Sequence, residues 1–453
     1  MIARALSEIA RAVDGELRGD DRVASSVVTD SRRAEPGSVF VALRGEHVDG
    51  HSFVDDAFAH GAAAAVVSRD GLGGTVVRVD DTGRALLALA ADERRRMPHA
   101  TVIGVTGANG KTSTKDLASA VLATRFRTHA SPASFNNEIG LPLTLLGAPP
   151  ETEVVIAEMG ARRRGDVAML CEIARPDVVA VTNVGVAHME IFGSWEAIIA
   201  ASAEPLDALD GDGIAVLNVD DPVVRGLASR VRGRLVRFGS SEEADVRAEE
   251  VAIDEDGCAS FLLVEGAERE RVQLAVPGEH MVSNALAAAA CGVALGVSAS
   301  ECAVALKDAR ISAWRMETLT TREGVRVLND AYNANPESMA AGLKAARWMA
   351  RDGRLAAVLG HMAELGPISF DEHERLGELI VRVGVERLIT VGEPARAILR
   401  SAVREGQLPE DAADYDEPAQ AVDDLRAWMR PGDVVLVKGS RVAGLERVAE
   451  ALR

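Results

Sequence analysis

The chain is short of cysteine, lysine and positive charge, and it has no long apolar run. Four cysteines, Cys171, Cys258, Cys291 and Cys302, occur in 453 residues. They make neither a disulfide framework nor a CxxC metal knuckle, and such sparse usage fits a reducing, cytoplasmic setting. No run of about 18 uninterrupted apolar residues is present, which excludes a helical membrane span. The opening segment MIARALSEIARAVDGEL carries charges every few positions and lacks the apolar stretch of a secretory signal. The net charge of −19 repels nucleic-acid phosphates and argues against a sequence-independent DNA or RNA binder. Anionic small substrates remain open, because a local positive cluster can hold them.

Only five of the 50 basic residues are lysines: Lys111, Lys115, Lys307, Lys344 and Lys438. A composition that swaps lysine for arginine across the surface leaves lysine where arginine cannot substitute. The hydrophobic fraction of 47% supplies several packed cores. At roughly 150 residues per domain the length suggests about three units.

Three units are legible along the chain. Residues 1–97 combine a helix with Leu6, Ile9 and Val13 in step, short β-rich runs at 23–29 and 38–42, a strand at 64–67 and a helix over 83–97 that Pro98 stops. Residues 98–311 open with the apolar strand 101–105, followed by a glycine-rich turn and a helix. Strand candidates at 153–157, 177–184 and 213–218 alternate with helices, as in a parallel sheet covered on both faces. Residues 245–275 read instead as a small antiparallel patch, and the alanine-rich helix 283–295 closes the unit. Residues 312–453 repeat the alternation, with strands at 325–329, 355–359, 387–391 and 433–437. The fold class is α/β.

The segment Thr106-Gly107-Ala108-Asn109-Gly110-Lys111-Thr112-Ser113 lies between an apolar strand and a helix. A phosphate-binding loop needs that context. Glycines let backbone N–H groups approach phosphates, the helix N-terminus adds positive potential, the lysine reaches the terminal phosphates and a hydroxyl ligates magnesium. The general pattern has a glycine five residues before Gly110, where this chain has Val105.

That loop resembles the phosphate loop of the Mur ligases, the ATP-dependent amide-bond-forming enzymes of peptidoglycan precursor synthesis. Further segments are similar to the same family in the same order: Ser134–Leu145 (SFNNEIGLPLTL), Ala157–Ala161 (AEMGA), Asn183–His188 (NVGVAH) and Pro277–Ala285 (PGEHMVSNA). At the two ends, Thr29–Arg32 (TDSR), the run from Pro36 to His51, Asn329–Met339 (NDAYNANPESM), Leu359–Gly366 (LGHMAELG) and Val437–Arg441 (VKGSR) resemble the family member that adds D-alanyl-D-alanine to a UDP-MurNAc-tripeptide. The resemblance covers essentially the whole chain.

It implies a three-domain architecture. A central P-loop ATPase-like parallel-sheet domain is flanked by an N-terminal α/β domain for the UDP-sugar and a C-terminal Rossmann-like domain. It implies ATP and Mg²⁺, with substrate carboxylate activated as an acyl phosphate, and a cytoplasmic enzyme taken by default as a monomer. Lys111, Glu158, His188, Arg315 and Asp330 are the implied catalytic group. Thr112 and Glu158 would serve one magnesium and His188 a second. Residues 106–113 and Asn284 would hold the nucleotide. Asn136, Asn137, Asn333 and Asn335 would lie toward substrate, and Asp30, Ser31 and Arg32 toward the UDP-sugar.

Local chemistry offers alternatives for several of these. Glu158 reads equally as a surface residue at a strand end and His188 as a hydrogen-bonded structural histidine. Asn284 reads as a helix cap, Arg315 with Asp330 as an interdomain ion pair, and Asn333 and Asn335 as turn residues. Asp30–Arg32 reads as a loop cap.

The chain departs from the family pattern in two places. Mur ligases usually carry a lysine, carbamoylated in use, about fourteen residues after the metal histidine; that position is Ser202, and no lysine lies between Lys115 and Lys307. The departure leaves two alternatives beside the main reading: a Mur-like ligase with other carboxylate and amine substrates, or a nucleotide-binding paralogue without catalysis. The second departure is His361, where aspartate is more usual.

Overall fold

The computed structural model describes residues 1–45, 47–186, 189–351 and 353–453. Three main sheets follow one another along the chain, and a small antiparallel pair, Arg4–Ala5 with Val23–Ala24, accompanies the first. The first has the strand order Glu16–Arg18, Val76–Arg78, Ala64–Val67, Ser38–Val41, Ser26–Val28. All its neighbours are parallel except the pair formed by Glu16–Arg18 and Val76–Arg78.

The second sheet has nine strands, in the order Glu268–Pro277, Cys258–Glu265, Val246–Ile253, Arg234–Gly239, Ile214–Asn218, Val178–Val181, Thr101–Thr106, Val154–Glu158, Thr128–Ala130. Strands covered by helices on both faces read as unbroken apolar runs. Thr101–Thr106 and Val154–Glu158 do so, and every residue from Val102 to Glu158 within them is buried. The third sheet runs Glu317–Thr320, Arg326–Asp330, Val434–Lys438, Leu355–Leu359, Arg387–Val391, Ala412–Tyr415.

The antiparallel patch is present, and Val246–Ile253 also pairs in parallel with Arg234–Gly239, so the patch continues the central sheet. Two other expectations change. The helix Met281–Ala294 does not close the central unit, because Ala299–Asp308 follows it behind a Ser298–Glu301 capping box. Short strands at Thr128–Ala130, Arg234–Gly239, Glu317–Thr320 and Ala412–Tyr415 are additional. Most of them lie at or near sheet edges and carry half-buried, mixed residues, so no apolar run announces them.

Apolar packing joins the units. Leu86 and Leu89 of the helix Thr82–Arg96 belong to one core with Leu141, Leu145, Val155 and Leu170 of the central unit. Val276 and Met281 share another core with Leu343 and Met349 of the third unit. The hairpin tip before Cys258 docks on the third unit: Trp348 Nε1 donates to the Asp254 carbonyl at 3.0 Å, and Arg351 pairs with Glu255 at 2.9 Å. Gly257 is required there, since its φ is +79° and a Cβ would lie 2.9 Å from Met349 Cγ. Among the described residues no helix is long and apolar enough to cross a membrane.

One buried arginine ties the first unit to the second. Arg94 donates from Nε to the Ala174 carbonyl at 2.9 Å, from Nη1 to Met97 O at 2.9 Å and from Nη2 to Asp177 at 3.0 Å. Replacing it strands buried carbonyls that close the C-terminus of the helix Asp166–Ala174. Arg94→Ala is expected to lower unfolding free energy by about 2 kcal/mol, read as a lower urea midpoint at unchanged slope.

Candidate functional site

Glu158, His188 and the phosphate loop are expected at one sheet edge. The register places two of them there: Glu158 pairs with Val105, one residue before Thr106, where the loop begins. Glu158 is itself the last residue of its strand, not the residue after it. His188 lies outside the described residues.

The loop closes by backbone contact that tolerates no side chain at two positions. Gly107 has φ +135°, and a Cβ there would sit 2.1 Å from Thr182 Oγ1. Gly110 has φ +80°, and a Cβ would sit 2.2 Å from Asn284 Oδ1. Glycine alone meets both demands. Asn284 is buried one turn inside the helix Met281–Ala294, so it is not that helix's cap; it abuts the loop at Gly110.

The loop's middle is held by Asn109. Its N–H donates to Asn183 Oδ1 at 2.8 Å, and its carbonyl accepts from Thr182 Oγ1 at 2.7 Å and Asn183 Nδ2 at 3.1 Å. Its side-chain oxygen accepts from Asn335 Nδ2 at 2.6 Å, a contact from the third unit. Asn335 also caps the helix Pro336–Ala350. Thr182 was not singled out by sequence, and Asn183 only as the start of the NVGVAH segment, without this role. Their signal was position, two small polar residues just past an apolar strand beside the loop.

Lys111 opens the helix Lys111–Leu122 and folds back on the loop. Nζ donates to Gly107 O at 2.6 Å and to Ala108 O at 3.1 Å. Enclosure pushes its ammonium pKa down, the Glu158 carboxylate opposes that, and the Arg315 guanidinium reinforces it. Thr112 Oγ1 donates to Glu158 Oε2 at 2.8 Å, and Asn136 Nδ2 donates to Oε1 at 2.8 Å. Glu158 is only 1% exposed. Ser113 is buried in the same first turn.

The third unit reaches in with Arg315. Its Nη2 donates to Ser134 Oγ at 3.0 Å, beside Thr112 Oγ1, and its guanidinium stacks 4.3 Å above the Tyr332 ring. Trp314 and Met316 on either side have φ of +61° and +49°, so the backbone turns sharply to present it. The linker is tethered by Asp116, which accepts from the Ser312 N–H at 2.7 Å and its hydroxyl at 2.8 Å. Asp330 does not pair with Arg315. It binds the buried Lys438 ammonium and accepts the Met316 N–H at 3.1 Å. Lys438 also donates to the Asn333 carbonyl at 3.0 Å, while Asn333 itself is exposed.

Other expected residues have local partners. Asn137 Oδ1 accepts the Ile139 and Gly140 N–H groups at the start of the helix Gly140–Gly147. Asp30 caps the turn Ser31–Arg33 and grips the exposed Arg32, which draws its carboxyl down to about 2; Ser31 is buried. These three sit past the end of the Ser26–Val28 strand, and no hydrogen bond among the described residues joins them to the phosphate loop. Ser202 lines a cavity of about 50 Å³ with Gly107, Lys111 and Phe192, and its hydroxyl donates to Ile198 O at 2.9 Å. Glu204, two residues on, accepts the Gly165 and Ala168 N–H groups and points away.

This arrangement defines a nucleotide-binding α/β fold with a lysine, a buried hydroxyl–carboxylate pair and an arginine from a second domain. Three family descriptions match in sequence: the Mur ligase family, catalytic domain, over residues 24–98, the Mur ligase middle domain over 105–292, and the Mur ligase, glutamate ligase domain over 314–441. The chain belongs to the Mur ligase family.

Within that family it is similar over its full length to MurF-type ligases. It is 42% identical to the UDP-N-acetylmuramoyl-tripeptide--D-alanyl-D-alanine ligase of Mycobacterium bovis, over 100% of this chain and 98% of that protein. It is 34% identical to the ligase of the same name in Bacillus subtilis, over 100% and 99%. A crystal structure of MurF from Acinetobacter baumannii superposes with a TM-score of 0.89 at 29% identity, covering 99% of this chain and 98% of that one. MurF from Thermotoga maritima in complex with ADP gives 0.81 at 29% identity, covering 95% and 97%.

Gly110→Ala tests the loop geometry. The added methyl displaces Asn284 and is expected to weaken ADP binding by about tenfold or more in calorimetry, with the thermal midpoint of the ligand-free protein changed far less than the affinity.

Proposed function

We propose that the chain joins D-alanyl-D-alanine to the terminal carboxyl of UDP-N-acetylmuramoyl-tripeptide at the expense of ATP, in peptidoglycan precursor synthesis. The observation that carries this reading is the convergence of Lys111, the Thr112–Glu158 pair and Arg315, from two units, on one phosphate loop. The full-length match to ligases of that name supports the substrate pair.

The chemistry follows from charge. A carboxylate is a poor electrophile. Its oxygen attacks the terminal phosphorus of ATP, ADP leaves, and an acyl phosphate forms. The amine then attacks the acyl carbon, phosphate departs and the nitrogen loses a proton. The chain's residues position and neutralise. Loop N–H groups at the helix N-terminus face the phosphates. Lys111 exchanges the Gly107 and Ala108 carbonyls for phosphate oxygens. Arg315 Nε is buried without a partner among the described residues, and a phosphate oxygen satisfies it.

The donor set fits magnesium. Glu158 is buried, bound by a hydroxyl and an amide, and has no ion pair among the described residues. Two hard oxygen donors beside bound phosphates suit an octahedral cation that keeps several waters. Thr112 and Glu158 would hold it, His188 is proposed for a second ion, and the metal would supply neutralisation of the terminal phosphates. Asn284 is proposed on the adenine side. Asn136, Asn137, Asn333 and Asn335 are proposed toward substrate, and Asp30, Ser31 and Arg32 toward the UDP-sugar. We propose domain limits of 1–97, 98–311 and 312–453, a division supported by one main sheet falling within each span. We take the enzyme by default as a monomer, and as cytoplasmic, where ATP and UDP-linked precursors are found.

Phosphate release from ATP, Mg²⁺, UDP-MurNAc-tripeptide and D-alanyl-D-alanine tests the reading. Release is expected only with all four, with the amide product seen by mass; ATP binding without release would overturn it. Ser202→Lys, assayed in bicarbonate, is expected to raise turnover, because the side chain would extend into the cavity beside Lys111. Unchanged turnover would show that this position does not limit the enzyme.

A further inference from the structure

The loop from Gly360 to Leu365 leaves the carboxyl end of the Leu355–Leu359 strand, where ligands meet parallel sheets. It has no regular structure, yet several of its backbone groups are tied to neighbouring elements. The Gly360 N–H donates to the Lys438 carbonyl at 2.9 Å, the Ala363 N–H donates to Ser440 Oγ at 2.8 Å, and the His361 carbonyl accepts the Ser440 N–H at 3.1 Å. The fourth tie comes from a helix. The Met362 N–H donates to His373 Nε2 at 3.0 Å.

His373 is 1% exposed. Its Nδ1 lies 2.6 Å from the Ser369 carbonyl, so Nδ1 carries the hydrogen and Nε2 keeps the lone pair. Burial pushes the imidazole pKa down, which keeps the ring in this neutral form. A charged ring would present a second N–H to the Met362 N–H.

The loop's far side reaches the central unit. The Glu190 N–H donates to the Glu364 carbonyl at 3.3 Å, and Arg162 lies 4.0 Å from the Glu364 carboxylate. At Gly366, φ is +55° and a Cβ would lie 2.8 Å from Glu190 Cβ. The loop is therefore clamped between His373 and Ser440 on one side and Glu190 on the other, and its Gly360 N–H bonds to Lys438, whose ammonium reaches the Asn333 carbonyl.

We propose that His373 is a positioning residue for the incoming amine: its Nε2 lone pair holds the 360–366 loop as a wall of the acceptor site. The inference rests on the proposed function and adds to it that the third unit, which carries Asn333 and Asn335, receives the amine.

The test compares His373→Phe, which keeps a ring but removes the acceptor, with His373→Gln, whose side-chain oxygen can still accept the Met362 N–H. KM for D-alanyl-D-alanine is expected to rise about tenfold in His373→Phe, the effect of one lost hydrogen bond, with kcat and the KM for ATP changed less than about twofold. His373→Gln is expected to recover most of the loss. Exchange of the Met362 amide should quicken in the first variant and not in the second. Should His373→Phe fail to fold, His373→Asn, too short to reach the amide, carries the same expectation. An unchanged KM for D-alanyl-D-alanine in a folded variant with quickened Met362 exchange would overturn the proposal, as would an equal loss in every parameter. If the wild type makes no product from D-alanyl-D-alanine while the exchange pattern appears as expected, the assigned substrate fails and the clamp stands.

Discussion

The site depends on Asn109. Its backbone N–H and carbonyl are held by Thr182 and Asn183, just past a strand of the central sheet, and its side chain is held by Asn335 of the third unit. One residue thus sets the loop's shape and registers one domain against another. Because loop N–H groups act as fixed dipoles, their orientation matters more than added charge. The glycines on either side exist to let that packing occur, since Thr182 and Asn284 stand where their side chains would be.

The electrostatics follow from the same enclosure. The protein surface is acidic, yet the loop gathers Lys111 and Arg315 close enough for the guanidinium to disfavour the ammonium's charge. Lys111 bonds to the Gly107 and Ala108 carbonyls, and Arg315 to Ser134 and the Tyr332 ring. These neutral partners are weaker than a charge-assisted bond, which is why the two cations are the groups proposed for phosphate. The Asp116–Ser312 tether and the sharp backbone around Arg315 place the arginine at the domain junction, where its approach to the loop follows any relative motion of the two units.

The apolar strands and the phosphate loop were legible because burial on both faces leaves unbroken Val/Ile/Ala runs, and because glycine, lysine and threonine recur in fixed order after one of them. Leu355–Leu359 and Arg387–Val391 appear at the residues expected. Edge strands such as Glu317–Thr320 were not legible, because half of each strand faces solvent and its composition matches a loop. Asn284 read as a cap from its place near a helix start, and its contact with Gly110 is long-range. Asp330 and Arg315 read as a pair, yet each found a partner from elsewhere, Lys438 and Ser134.

By itself the sequence determined the class of fold, the chemistry of the loop and the family, since each depends on residue types at short, fixed spacing. Tertiary structure alone decided which residues meet across distance. It set Asn335 on Asn109, Arg315 beside Thr112, Lys438 under Asp330 and His373 behind Met362. These are contacts between elements brought together by sheet register and domain packing. No local pattern encodes them, because an asparagine or a histidine reads the same in a cap, a core or a clamp until its neighbours are in place.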